Sequence, residues 1–250
     1  MQRLAITPAQ ICGSSLTLTA EQAHYLRRVL RLQVGDRFIA LDGQGQAWQA
    51  ELTAAGATLG AAIACDTELP ITITLLVALP KGNGFDDIVR SGTELGAAAF
   101  FPVLAMRSLL QPSAQKLARW QRIAREAAEQ SERVVVPQIA TPLPLAAAIA
   151  QLAPDSRRYV CTARGERIHL ARALSSISAG SAGVAIATGP EGGWTLDELA
   201  LLQQADFTAV SLGRRVLRAI TAPLAALALL AAAVEVPTAL NQPASTQAES

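Results

Sequence analysis

The sequence predicts an α/β protein with a parallel sheet covered on both sides, preceded by a small β-barrel. Three observations predict it. The run Ile71–Leu79 is nearly all apolar or β-branched, the pattern of a strand buried on both faces. From there on, strand-like and helical segments alternate, as they do where crossover helices connect parallel strands. The first 69 residues carry short strands and hairpin turns instead, as small barrels do.

Each element follows from a local signal. A helix is predicted from Thr19 to Leu32, with Thr19 as its N-cap. Asp36–Leu41 runs into the turn Asp42-Gly43-Gln44-Gly45, and Ala47–Leu52 is the partner strand of that hairpin. After the buried strand come a helix over Phe85–Leu95, a strand over Ala98–Leu104 and a helix over Ala114–Ser131. Strands at Arg158–Thr162 and Gly183–Thr188, a helix over Thr195–Gln204, a strand at Ala209–Leu212 and a final helix to about Val234 complete the pattern. The tail 237–250 is small and polar, and is expected to be disordered.

Composition removes several classes. With 51% hydrophobic residues in 250, the chain is too apolar for intrinsic disorder. Twenty-one Lys plus Arg against 20 Asp plus Glu exclude a polybasic nucleic-acid tail, so any nucleic-acid contact must come from local clustering. Such clusters exist. Residues 1–37 hold five arginines against Glu21 and Asp36, and residues 107–133 hold six basic groups against three glutamates. Residues 42–94 reverse the sign, with seven acids against Lys81 and Arg90. Only Lys81 and Lys116 are lysines, and arginine is the better partner for phosphate forks and base stacking.

Cys12, Cys65 and Cys161 lack pair spacing, which argues against a disulfide framework; buried core thiols are expected. His24 and His169 form no zinc-spaced cluster with them, so no metal site is expected. Met1–Gln10 has no apolar signal core. The uncharged run Ala219–Val234 is 16 residues long and interrupted by Pro223, against the roughly 20 that a membrane span needs. A soluble, cytoplasmic protein without membrane contact is expected.

Chemistry concentrates in two segments. In the first, the strand Gly183–Thr188 ends in Gly189-Pro190-Glu191-Gly192-Gly193-Trp194, and Thr195 with Glu198 has capping-box spacing for the next helix. Ligands of parallel sheets sit at the carboxyl ends of strands, and glycines let backbone approach them. No Gly-Lys-Ser/Thr follows, so this is not a Walker A loop, nor is it Gly-x-Gly-x-x-Gly. In the second, Ser211-Leu212-Gly213 leads into Arg214-Arg215-Val216-Leu217-Arg218, and Arg215 and Arg218 are expected to share one face of the following helix. Three cations there suit a phosphate or an anionic transition state. A third junction, Leu79–Asp87, offers Lys81 to a phosphate, while Asp86 and Asp87 favour the helix N-terminus. On the helix after Ala114, Arg122 with Glu126 and Arg125 with Glu129 are i,i+4 pairs of a surface helix.

Gly-Pro-Glu-Gly-Gly followed by Leu-Gly-x-Arg-Val-Leu-Arg-x-x-Thr-Ala resembles the paired signature of the SPOUT methyltransferases, and more narrowly the ribosomal RNA small subunit methyltransferase E family. Thr93-Glu94-Leu95-Gly96 with Pro102, the stretch Glu126–Arg133, and His24–Arg31 with Gly35-Asp36 resemble further segments of that family. The resemblance covers residues 3–234. It implies a PUA-like barrel over 1–69 and a SPOUT-type parallel sheet with a C-terminal trefoil knot over 70–236. It also implies a homodimer that uses S-adenosylmethionine to methylate N3 of one uridine in 16S rRNA of the small ribosomal subunit.

Carried over residue by residue, the cofactor contacts are Thr188, Gly189, Pro190, Glu191, Gly192, Gly193, Ser211, Leu212, Gly213, Val216, Leu217 and Thr221. The RNA contacts are Arg27, Arg28, Arg31, Lys81, Arg133, Arg214 and Arg215. Arg218 is the catalytic candidate, holding the developing uracil anion or a phosphate. Three positions depart from the family pattern. Ile220 stands where it has Glu, Ser91 where it has Lys, and Gly84 where it has a second basic residue. Ile220 cannot take a proton, which leaves a second reading, a non-catalytic cofactor- and rRNA-binding assembly factor. A third reading is a nucleotide-binding enzyme built on the Lys81 loop.

Overall fold

The computed structural model describes residues 1–108, 112–177 and 180–235; the predicted tail 237–250 lies outside them. In chain order the elements are β1 (Arg3–Ala5), β2 (Ile11–Cys12), β3 (Ser15–Leu16), α1 (Ala20–His24), β4 (Arg37–Leu41), β5 (Ala47–Leu52), β6 (Ala57–Ile63) and β7 (Ile73–Ala78). Then come α2 (Gly84–Glu94), β8 (Ala99–Leu104), α3 (Ala114–Gln130), β9 (Gln138–Ile139), β10 (Leu143–Pro144), α4 (Leu145–Ile149) and β11 (Arg157–Cys161). The chain closes with β12 (Ile168–His169), α5 (Leu170–Ala173), β13 (Val184–Thr188), α6 (Leu196–Gln204), β14 (Thr208–Ser211) and α7 (Thr221–Glu235). The chain divides into two compact units, Met1–Glu68 with Asn83–Phe100 and Gln111–Thr141, and Leu69–Gly82 with Phe101–Leu110 and Pro142–Ser250.

The first unit holds a six-stranded sheet in the order β1-β4-β5-β6-β3-β2. One apolar cluster joins Leu4 and Ile6 near one edge, Leu16 near the other, and Phe38, Leu52 and Leu59 between them. A flat sheet cannot bring both edges to one cluster, so this sheet curls around its core. Leu26, fully buried, plugs it from the helical segment. That segment starts as predicted: Thr19 accepts the Gln22 amide and Gln22 returns a bond from its side chain, a reciprocal box. It ends earlier than predicted, passing through a π-helical turn at Tyr25–Val29 and stopping before Arg31, whose φ is +59°.

Helices α2 and α3 belong to this unit. Asp86 and Asp87 lie in the first turn of α2 as expected, but Asp86 does more. It is buried, and its carboxylate accepts Trp120 Nε1 at 2.9 Å and Arg119 Nε at 2.7 Å, tying α2 to α3. The α3 helix is amphipathic rather than a bare surface helix, with Trp120, Ile123, Ala124, Ala127 and Ala128 buried. Arg122 pairs with Glu126 at 3.6 Å, whereas Glu129 accepts the backbone amide of Ala5 on β1 at 2.7 Å. Burial raises the Glu129 carboxyl above its ordinary value, opposed by that amide and by the Arg125 charge.

In the second unit the sheet runs β10-β8-β7-β13-β11-β14-β12, all parallel in the recorded registers. Every residue of β13 is buried, so neither of its faces meets solvent, which explains the unbroken apolar pattern. Helix α7 packs against β7 and β13, and α5 against β12 and β14. The predicted thiol burial holds for Cys161, which burial pushes up to about 12. Cys12 and Cys65 are exposed instead, because Cys12 ends the two-residue β2 and Cys65 lies beyond the end of β6, both outside the apolar cluster. Among the described residues no helix is long and apolar enough to cross a membrane, and no group of side chains could hold a metal.

Candidate active site

The parallel register aligns the carboxyl ends of four strands of the second unit. Thr188 pairs with Val77 and Cys161, and Cys161 pairs with Val210. The loops after β7, β13 and β14 therefore emerge along one edge, where ligands of such sheets bind.

Two hydrogen bonds shape the glycine-rich loop after β13, and a third joins the loops beside it. The Lys81 amide donates to Glu191 Oε1 at 3.0 Å, which fastens the loop after β7. From the loop after β8, Arg107 Nη1 donates to the Gly192 carbonyl at 2.6 Å and Ser108 Oγ to Leu79 O at 3.2 Å. Glu198, 6% exposed, closes the predicted capping box with Thr195 and also accepts the Met106 amide at 2.8 Å. One buried carboxylate thus starts α6 and holds the end of β8.

Inside this frame two buried polar atoms have no hydrogen-bond partner: Thr188 Oγ1 and Trp194 Nε1. Buried donors and acceptors are nearly always satisfied, so each such pair calls for an explanation. They flank Gly189, where a side-chain carbon would stand 3.2 Å from Trp194 Nε1. A hydroxyl and an indole N–H beside side-chain-free backbone suit a polar, flat ligand.

The loop after β14 has its own geometry. Ser211 Oγ accepts the Gly213 amide at 3.0 Å, and Gly213 takes φ +113°, a conformation glycine alone adopts without strain. Arg214, Arg215 and Arg218 are exposed, and they do not share a helix face as expected. Helix α7 begins at Thr221, and the Arg218 carbonyl accepts the Thr221 and Ala222 amides. The cause is Pro223. Proline has no N–H and is tolerated in a first turn, but a helix running back to Arg214 would place it in the interior. Val216 is 72% exposed and Leu217 half-buried; Thr221 is exposed at the helix start, and Ile220 is half-buried just before it.

Among the basic positions, Arg27, Arg28, Arg31 and Lys81 are exposed. Arg27 Nη2 donates to the Thr53 and Ala54 carbonyls. Arg133 departs from the expectation of an RNA contact. It is 3% exposed; its guanidinium binds Glu68 at 2.6 Å and donates to the Thr93 and Ala97 carbonyls at 2.8 Å each. Glu68 in turn accepts the Val134 and Val135 amides. Four of its five N–H groups are spent inside the fold, and the guanidinium is buried away from any phosphate.

Residues 67–231 match the RNA methyltransferase domain family, and residues 18–59 the RNA methyltransferase PUA domain family. The ribosomal RNA small subunit methyltransferase E of Synechocystis sp. is 48% identical over 237 residues, which cover 93% of this chain and 78% of the relative. This chain belongs to the ribosomal RNA small subunit methyltransferase E family. The Bacillus subtilis member is 32% identical across 92% of this chain and 96% of its own. A crystal structure of the family member from Neisseria gonorrhoeae bound to S-adenosyl methionine superposes with a TM-score of 0.80 at 31% identity, covering 91% of this chain and 95% of that one. Sequence reasoning missed the contributions of Arg107 and Trp194 to the glycine loop, and the bond from the Met106 amide to Glu198. The Thr195–Glu198 spacing signalled only the capping box.

Proposed function

We propose that this chain transfers a methyl group from S-adenosylmethionine to N3 of one uridine in 16S rRNA of the small ribosomal subunit. The observation that carries the cofactor is the pair of unpartnered buried atoms, Thr188 Oγ1 and Trp194 Nε1, around Gly189 at the strand ends. A relative of the same family was crystallised with that cofactor, and its relatives are named for the small-subunit ribosomal RNA. In this reading residues 1–69 are the PUA-like RNA-binding domain and 70–236 the methyltransferase domain with a trefoil knot. The working form is a cytoplasmic homodimer.

The bound cofactor supplies a methyl group on a positively charged sulfonium. The chain's residues do the rest. Thr188, Gly189, Pro190, Gly192 and Gly193, with Ser211 to Gly213, Val216, Leu217 and Thr221, enclose and orient it; Glu191 acts indirectly, through Lys81. Holding two reactants in line removes most of the entropic barrier. Uridine N3 gives its proton to solvent water as it becomes a nucleophile, since Ile220 cannot take it, and Arg218 holds the negative charge that develops on the uracil. Arg27, Arg28, Arg31, Lys81, Arg214 and Arg215 take phosphates. Arg133 leaves that set and serves as an internal clamp.

Transfer of labelled methyl from S-adenosylmethionine to small subunits that lack the modification tests this reading; no incorporation at saturating cofactor rejects it. Ile220 favours a second reading, in which the chain binds cofactor and rRNA without catalysis. Ile220→Glu discriminates, because a large gain in incorporation would mean the natural chain is impaired. Calorimetry with ATP and S-adenosylmethionine separates the nucleotide-binding reading, since only one ligand binds tightly.

A further inference from the structure

His169 has no part in the scheme above. It ends β12, and its register partner on β14 is Ser211, so the imidazole shares the carboxyl edge with the arginine-bearing loop. Its Nδ1 accepts the Ala171 amide at 3.2 Å. A ring nitrogen that accepts carries no hydrogen, so the neutral ring bears its hydrogen on Nε2 and Nε2 is a donor. That donor faces Gly213. A carbon built at the Cβ position of Gly213 would lie 3.9 Å from His169 Nε2 and 3.5 Å from Arg215 Nη2. The two nitrogens are therefore separated by no more than the sum of those distances, a gap that the neighbouring oxygens of one oxyanion can bridge. Leaving aside the chain neighbours of Gly213, no other described heavy atom lies within 4 Å of that carbon position, and the Gly213 amide is already given to Ser211.

We propose that His169 and Arg215 form a two-pronged seat for an oxyanion over Gly213, with the charge met by the guanidinium and the geometry fixed by the imidazole. The proposal rests on the function inferred above, which offers two sources of that anion, a backbone phosphate of the RNA and the carboxylate of the cofactor. A fork of a guanidinium and an imidazole N–H orients an oxyanion as well as attracting it.

Two substitutions separate this role from mere capping of the short helix. His169→Asn puts an oxygen near the place of Nδ1, keeps the bond to Ala171, and deletes the outer donor. His169→Gln puts an amide N–H near the place of Nε2 and loses the cap. We would measure the Kd for S-adenosylmethionine by calorimetry and the Kd for small ribosomal subunits by filter binding at one fixed salt concentration, with a thermal melt for each variant. His169→Asn and Arg215→Gln are each expected to raise the same one of these constants roughly tenfold, and His169→Gln to raise it less than about threefold. A rise in the subunit constant assigns the seat to RNA phosphate; a rise in the cofactor constant assigns it to the carboxylate. A wild-type-like Asn variant, or a Gln variant as damaged as Asn, overturns the proposal. Neither constant requires turnover. A wild-type protein that binds but never methylates therefore removes the proposed activity while this seat is still judged, and one that binds neither ligand overturns both.

Discussion

Arg107 donates to the carbonyl of Gly192 at 2.6 Å, so a side chain following β8 sets the shape of the glycine loop that follows β13. The aliphatic part of Arg107 packs there too, with its Cδ 3.1 Å from the place where a Gly192 side chain would begin. Arg107→Ala should therefore weaken S-adenosylmethionine binding roughly three- to tenfold, the worth of one exposed hydrogen bond plus packing, and leave the melting temperature nearly unchanged. Calorimetry beside a thermal melt checks this. Equal affinity in the variant would show that the loop holds its shape without Arg107.

Gly189 follows Thr188 in the chain and lies against the indole of Trp194. Gly189→Ala would bring a methyl to 3.2 Å from Trp194 Nε1 and 3.3 Å from the Trp194 backbone nitrogen. The indole can give a little, but the backbone of the loop cannot. Cofactor affinity should fall by roughly tenfold or more, about 1.4 kcal/mol. Thr188→Val, which keeps the shape and removes the hydroxyl, should also weaken binding, while raising stability slightly when the cofactor is absent. A Val variant with wild-type affinity would mean that no ligand uses that hydroxyl.

Arg133 tests whether a basic residue of the stretch Glu126–Arg133 serves RNA or fold. Removing it leaves the Glu68 carboxylate with only the Val134 and Val135 amides and strands the Thr93 and Ala97 carbonyls. Arg133→Ala should cost about 3 kcal/mol of stability in a urea melt. Whatever fraction remains folded should bind small subunits with an unchanged salt dependence, because no phosphate contact is lost. A salt slope lower by about one charge would return Arg133 to the RNA surface.

The loops that carry the site were legible in the sequence because their signals are local. A buried strand, a glycine run and the Thr195–Glu198 spacing lie within sixteen residues of one another, and all appear in the fold as read. What was misread depends on distance. Arg133 finds Thr93, Ala97 and Glu68, which lie 40, 36 and 65 residues away, and nothing in its neighbours distinguishes a buried arginine from an exposed one. The local pattern places Arg215 and Arg218 on a helix because no breaker separates them from Ala219; the true stop is Pro223, acting backwards on the turn before it. His169 escaped because a two-residue strand has no periodicity to detect.

Glu129 gives the fold a pH signature. Its carboxyl is raised above the ordinary value of 4.5, chiefly by burial. Between that value and the raised one, the folded state holds the proton more tightly than the unfolded state does. Its contribution to stability is therefore fully present below the unfolded value and is lost as pH rises through the folded one. Glu129→Gln keeps an acceptor for the Ala5 amide and never ionises. Relative to wild type it should gain melting temperature at neutral pH, and the gain should vanish below pH 4.5. A gain that is independent of pH would contradict the burial of a charge at this position.

The central claim is the methyl transfer itself. Small ribosomal subunits lacking the modification would be incubated with the protein and S-adenosylmethionine, and the 16S rRNA digested to nucleosides for mass spectrometry. The account predicts one 3-methyluridine per subunit, formed only when both protein and cofactor are present and lost in Gly189→Ala at limiting cofactor. Subunits that acquire no 3-methyluridine at saturating cofactor, from a protein shown by calorimetry to bind it, would contradict the account.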